Sequence, residues 1–315
     1  MPFSGELFDR VAGAPAIPDG LPLVVLLTGF TDAGSAVSGL IDHLQETAHP
    51  QVLRIFDNDL LLDYRARRPI VTFDQDHLTE YRPARLELAL ATDVLGQPFL
   101  LLSGYEPDFA WEAFSDAVLG IFDEFAASSV TWVHAIAMPV PHTRPLGTTV
   151  SGTRADLTAA LSVWRPRTQV PATAGHLLEF RFAERGDRVA GFVLLVPHYL
   201  ADTEHPGAAM AAADRVMSAT GLVLATDGLR ERQAEFLARV EEQVEGNDEL
   251  RQMIATLEQR HDAYMAGLTA EMGGAENAAL AFDEGSLPSA DELAAELERF
   301  LASRPTGDDD KNGRS

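Results

Sequence analysis

The 315-residue chain carries 24 basic and 48 acidic residues, and its net charge of −24 argues against nucleic acid and anionic membrane surfaces as partners. It has no cysteine, which excludes disulfides, thiol catalysis and cysteine metal sites and suits a cytoplasmic protein. Only one of the basic residues is a lysine, Lys311, so no body lysine can form a Schiff base or serve a GxxxxGK[ST] loop, although arginine binds phosphate well.

Apolar runs are too short for a membrane span. The start, MPFSGELFDR, has no basic n-region, so a secretory signal is not expected. Residues 1–20 carry Gly and Pro and predict a surface segment. Leu23 to Leu27 is unbroken and apolar, as a strand buried on both faces requires. The turn Thr28-Gly29-Phe30-Thr31-Asp32-Ala33-Gly34 follows, and apolar residues then recur at helical spacing through Ala36, Val37, Leu40, Ile41 and Leu44. A ligand is expected near such a turn.

Gln51 to Phe56 predicts a second strand. Asp57 to Pro69 places three acids before three arginines. Oxygen ligands for a hard cation are one reading there, without EF-hand spacing; a loop with internal charge pairing is the other. Ile70–Phe73 and Arg85–Ala91 predict strands, the second half-exposed by its alternation. Pro98–Ser103 predicts a buried strand ending in Ser103-Gly104-Tyr105-Glu106-Pro107-Asp108. A helix over about 109–126 follows, with Asp108 as the expected N-cap. Val130–Ala137 is apolar and ends at MPVPHTRP, residues 138–145.

This alternation predicts an α/β fold over residues 21–225, a mainly parallel sheet flanked by helices with ligands beyond the strands' carboxyl ends. Thr148–Thr153 predicts a short strand, and Leu177–Phe182 with Val189–Val196 reads as a strand pair. Pro206 to Thr220, closed by Gly221, predicts a helix. Residues 226–270 predict a helical hairpin broken at Gly246-Asn247-Asp248, docked on the body or on another subunit. Residues 271–288 predict a linker, and 289–303 an amphipathic docking helix behind the capping box Ser289-Ala290-Asp291-Glu292. A disordered tail over 304–315 completes the prediction. Residues 271–315 hold 4 basic and 11 acidic residues, so part of the negative charge is peripheral.

Two histidines, His142 and His198, follow proline at predicted strand ends. With Asp32 as orienter and Arg144 as anion clamp they form a workable hydrolase or phosphorylase centre. The other reading has them bonding backbone at loop starts. His134 lies inside an apolar strand and reads as structural. No HxH or HExxH pair points to a metal, and no G-x-S-x-G elbow supports a serine nucleophile. Gly29 and Gly34 allow either a tight turn or an anion cradle at a helix N-terminus, where Asp32 would compete with an anion. The candidate ligand residues are Thr28, Gly29, Phe30, Asp32, Gly34, Ser103, Tyr105 and Arg144.

The opening unit LLTGFTDAGSAVSGLIDHL, with SGYEPD at 103–108, MPVPHTRP at 138–145 and PHYL at 197–200, resembles the type-two proteasome assembly chaperone family in its longer actinobacterial branch. The resemblance covers about residues 20–270. It implies a phosphorylase/hydrolase-like α/β domain, a homo-oligomer such as a trimer, and a proteasome-related partner; no cofactor is expected. Archaeal members end in a hydrophobic–Tyr–any motif, whereas this sequence ends Asn312-Gly313-Arg314-Ser315. The expected function is therefore a non-catalytic, chaperone-like assembly protein. The alternatives are a phosphorylase or hydrolase acting on a small anionic or nucleoside-like substrate, and an ATP-dependent carboxylate–amine ligase. The ligase reading sits poorly with a body free of lysine.

Overall fold

The computed structural model describes residues 7–165 and 167–273. The expectations for 274–315, and for residues 1–6 of the N-terminal segment, lie outside the described residues. One compact unit runs through Met265, and a second begins at Ala266.

The first strands and helices are β1 (Phe8–Arg10), β2 (Pro22–Thr28), α1 (Ala36–Thr47), β3 (Gln51–Phe56), α2 (Asn58–Leu61), β4 (Ile70–Asp74), β5 (His77–Arg82), β6 (Leu86–Thr92) and β7 (Pro98–Tyr105). They are followed by α3 (Trp111–Glu124), β8 (Ser129–Met138), β9 (Thr148–Gly152), α4 (Ala155–Leu161), α5 (Ala174–Arg185), β10 (Val189–Pro197), α6 (Pro206–Thr220), α7 (Asp227–Glu245) and α8 (Asp248–Gly273). An eight-stranded sheet runs β1-β3-β6-β7-β2-β8-β10-β9. Its centre, β7-β2-β8-β10, is parallel, and antiparallel pairings extend it on both sides.

Strand β2 shows why the sheet is central. Val24 and Leu26 enter the core under α1 and α6, and Leu23, Val25 and Leu27 enter the core under α3 and α5. Removing each such side chain from water contributes about 1.5–3 kcal/mol. Close packing of α1 on α6 follows from small residues: Ala36, Ala208, Ala209 and Ala212 are all buried, and Gly39 lies against Ala209. Helix α6 has the expected bounds, with Pro206 in its first turn and left-handed Gly221 as its cap.

Three local expectations are corrected. Leu177–Phe182 is not a strand but part of α5, because Ala174, Leu178 and Phe182 form its buried stripe while Phe180 is exposed. Thr173 and His176 close a capping box at its start, and left-handed Gly186 ends it. Helix α3 is capped by left-handed Ala110, since the Asp108 carboxylate is drawn away to Arg67 and the Asp63 amide. Strand β6 is buried on both faces rather than half-exposed, with Glu87 and Ala89 as covered as Leu86 and Leu88. The stretch from Asp57 to Pro69 begins with the short helix α2, and its Arg67 pairs with distant Asp108.

Helices α7 and α8 form a hairpin around Gly246 and Asn247. On α7, Phe236 and Val240 bury with Leu200 in a small third cluster. From α8, Glu258 and Asp262 hold Arg144, and the Tyr264 hydroxyl donates to the Val163 carbonyl at 2.9 Å.

Gly104 has φ of +141°, and a Cβ there would stand 2.0 Å from the Arg85 carbonyl oxygen. Gly104→Ala is expected to destabilise the protein by about 2–4 kcal/mol through strain and overlap, measured as a lower urea midpoint with unchanged slope.

Candidate functional site

The parallel strands deliver their carboxyl ends to one edge of the sheet. After β2, the Thr28 hydroxyl donates to the Gly104 carbonyl at 3.2 Å, tying the turn to β7. The Phe30 amide donates to Glu106 Oε2 at 3.1 Å, and the Ala174 amide, at the start of α5, donates to Glu106 Oε1 at 2.6 Å. Glu106 is 6% exposed. It passes so close to the turn that a Cβ on residue 29 would lie 1.9 Å from Oε2, so Gly29 is a packing requirement.

Asp32 spends both carboxylate oxygens on α1. Oδ1 accepts from the Val37 amide at 2.8 Å, and Oδ2 accepts from the Ser38 amide at 2.9 Å and the Ser38 hydroxyl at 2.6 Å. The turn Ala33–Ser35 is a short 3₁₀ helix, so Asp32 caps α1 from four residues upstream. Gly34 donates its amide to the Ala201 carbonyl at 2.7 Å and accepts from the His205 amide at 2.9 Å.

Beside this turn stand His134 and His176. The Thr31 hydroxyl lies 3.2 Å from the Ala135 carbonyl oxygen and 3.1 Å from His134 Nε2. Burial first, then the neighbouring His176, lowers His134 to a pKa of about 4, against the opposing pull of Asp32. Burial also lowers His176, with Glu106 opposing. A void of about 10 Å³, near the size of one water, lies among Gly29, Glu106, Trp132, His134 and Thr173.

The remaining candidates each have partners of their own. His142 and His198 both meet Tyr199. The His142 amide donates to the Tyr199 oxygen at 2.8 Å, and the hydroxyl lies 2.7 Å from His142 Nδ1. The His198 ring packs edge-on against the same tyrosine, with centroids 5.3 Å apart. Burial pushes Tyr199 up to about 12. Arg144 is engaged by the Asp262 carboxylate at 2.9 and 2.8 Å and by Glu258 at 3.1 Å, so it is not free to clamp an anion. Thus Asp32 serves α1, His142 and His198 meet at Tyr199, and Arg144 serves α8, and among the described residues no hydrogen bond joins Asp32 to either histidine.

The strand ends that remain open are those of β2 and β7. There a cleft of about 710 Å³ is walled by Phe30, Tyr105, Trp111, Arg67, Asp108 and Glu106. Phe30 is 73% exposed. The Tyr105 hydroxyl donates to Asn58 Oδ1 at 2.6 Å, and Arg67 lies 5.5 Å from its ring centroid. Ser103 is buried beneath this floor. Sequence reading selected Thr28, Gly29, Phe30 and Tyr105 of this set. It missed Glu106 and Asp108, which lie within the quoted SGYEPD segment, and Arg67 and Trp111, whose approach depends on long-range folding.

Fold and site together define an α/β sheet protein with a helical hairpin fastened over one half of its strand ends and an open aromatic cleft on the other. The model described as the PAC2 family matches residues 26–244, and the chain belongs to that family. Among solved structures, a Mycobacterium tuberculosis protein of unknown function, Rv2714, is 36% identical, with a TM-score of 0.79 over 85% of this chain and 93% of its own. A Corynebacterium glutamicum protein of unknown function is 30% identical, with a TM-score of 0.80 over 83% and 98%. A proteasome-assembly chaperone homologue of M. tuberculosis, Rv2125, shares the fold at 21% identity, with a TM-score of 0.67 over 74% and 100%. Comparison with curated proteins finds no match. Among the described residues, no helix is long and apolar enough to cross a membrane.

Two predictions follow from the buried groups. Gly29→Ala is expected to expel the Glu106 carboxylate and lower stability by about 2–4 kcal/mol, read by urea titration. His134 and His205 both sit near pKa 4, below the free value of 6.5, mainly because they are buried. Each unfolded ring therefore binds a proton that the folded ring refuses. Stability from these rings is complete above pH 6.5 and falls by about 1.4 kcal/mol per unit per ring between 6.5 and 4. His134→Gln should flatten that slope in urea titrations at pH 7, 5.5 and 4.5.

Proposed function

We propose that this chain is a non-catalytic, chaperone-like assembly protein that works in the cytoplasm as a homo-oligomer, with a proteasome-related protein as its partner. The observation that carries this reading is the β4–β5 hairpin. It forms its own two-stranded sheet, apart from the eight-stranded one. Ile70 is 70% exposed, Phe73 69%, Leu78 65% and Tyr81 64%. Phe73 and Leu78 are direct cross-strand partners. A lone two-stranded hairpin is marginal in water, and a patch of this kind calls for a protein surface to cover it. A second copy of the chain is the simplest cover, and the hairpin lies in the connection between β3 and β6.

The partner class is supported by family membership and by the fold shared with the proteasome-assembly chaperone homologue. The spent side chains at the strand ends favour this reading over a hydrolase or phosphorylase.

Sedimentation velocity tests the oligomer. The protein should sediment as a multiple of its 34.1 kDa chain mass at micromolar concentration. The double variant Phe73→Ser/Leu78→Ser should sediment as a monomer with an unchanged circular dichroism spectrum. A monomeric parent protein removes the oligomer. Incubation with purified proteasome subunits tests the partner, and no co-migration removes it.

A further inference from the structure

The cleft at the ends of β2 and β7 has a chemistry that the assembly reading does not use. Three aromatic side chains, Phe30, Tyr105 and Trp111, wall it. Trp111 donates its indole N–H to the Pro107 carbonyl at 2.6 Å, which fixes the ring's orientation. Asp108 supplies a carboxylate beside these rings, whereas the Glu106 carboxylate is taken up by the Phe30 and Ala174 amides.

The chain itself shows what such a wall accepts. The Arg67 guanidinium rests 5.5 Å from the Tyr105 ring centroid, donates to the Glu106 carbonyl at 2.7 Å and pairs with the Asp108 carboxylate. An aromatic face with an adjacent carboxylate and carbonyl is the environment that holds a guanidinium or ammonium group. Arg67 covers only part of it, since Phe30 remains 73% exposed and about 710 Å³ of cleft remains open.

We propose that this cleft receives the cationic side chain, arginine or lysine, of a partner protein. The choice of a cation over an anion rests on charge. Of the charged residues lining the cleft Asp108 and Glu106 are acidic and Arg67 is basic, and the chain as a whole carries −24. Burial is the main cause that raises the Tyr105 hydroxyl on the cleft floor; Tyr64, Asp108 and Asp57 add to it and Arg67 opposes it. A strongly acidic surface draws cationic segments toward it and repels acidic ones. The inference rests on the assembly reading in one respect, that the ligand belongs to a protein.

Fluorine NMR on protein labelled with 5-fluorotryptophan tests it, because the chain has only three tryptophans. The probes are the capped tripeptides Gly-Arg-Gly, Gly-Ala-Gly and Gly-Glu-Gly, with the Trp111 signal assigned through Trp111→Phe. The arginine peptide should move the Trp111 signal saturably while leaving the signal of Trp132, 3% exposed, in place. Phe30→Ala and Asp108→Asn should each weaken the arginine peptide about tenfold, and 500 mM salt should weaken it further. Because Phe30 is exposed, its removal leaves folding intact even where Asp108→Asn disturbs the loop. No Trp111 shift, equal shifts with the alanine or glutamate peptide, or unchanged affinity in Phe30→Ala overturns the proposal. These readouts do not depend on the hairpin, so loss of the oligomer or of the proteasome partner leaves them standing, and their failure leaves the hairpin result standing.

Discussion

The Glu106 carboxylate is the point on which the strand-end edge depends. It is buried, and an unpaired buried carboxylate is among the costliest groups a fold can contain. Here each oxygen accepts a backbone N–H, one from the turn after β2 and one from the first turn of α5. The positive end of the α5 dipole adds to that stabilisation. Three elements distant in sequence are thereby locked together by one side chain. The lock closes only because residue 29 has no side chain to obstruct it. The glycine-bearing turn is thus first a fixture of the architecture, and the cleft beside it inherits its shape from that fixture.

The parts of this fold that were readable in the sequence are those whose signal is local. Leu23–Leu27 announces a doubly buried strand, and Pro206 with Gly221 marks both ends of α6. The misreading of α5 is equally instructive. Leu178, Phe180 and Phe182 alternate with Glu179 and Arg181 as a strand's residues do, yet Phe180 faces out and the buried residues are Ala174, Leu178 and Phe182. Their four-residue spacing, closed by Gly186, is the helical signal. The β6 error has a different cause, because whether alanines and a glutamate on one face meet solvent depends on what covers the sheet.

The candidate site was less legible, for a physical reason. Asp32, His142 and Arg144 are chemically apt, and each does stand near a strand end. What decided their roles was which donor or acceptor reached them first. Ser38 and Val37 take Asp32, Tyr199 takes His142, and two acids of α8, more than 110 residues downstream, take Arg144. The Asp32 cap is local, but the pairings of His142 and Arg144 are tertiary, and residue type alone does not encode them. Glu106 and Arg67 were overlooked for the same reason.

The attachments of the molecule differ in strength, and this bears on where it can change shape. The two faces of the sheet bury extensive apolar cores, whereas the α7 contact with the 198–200 turn buries only Leu200, Phe236 and Val240. The rest of the hairpin's grip is mixed: Leu229, Ile254 and Leu257 are buried, and polar contacts join Arg144 to Glu258 and Asp262, Thr143 to Glu258, and the Gly207 amide to Gln233. Partly exposed ion pairs of this kind contribute little each, and salt screens them. Local opening draws on the least stable attachments first. The α7–α8 hairpin thus joins the body through both buried apolar side chains and screenable ion pairs, while the turn beside the cleft over β2 and β7 is fastened by Glu106. The same sheet edge therefore carries an aromatic cleft whose turn is fixed by a buried carboxylate and, beside it, a helical cover whose polar contacts respond to salt.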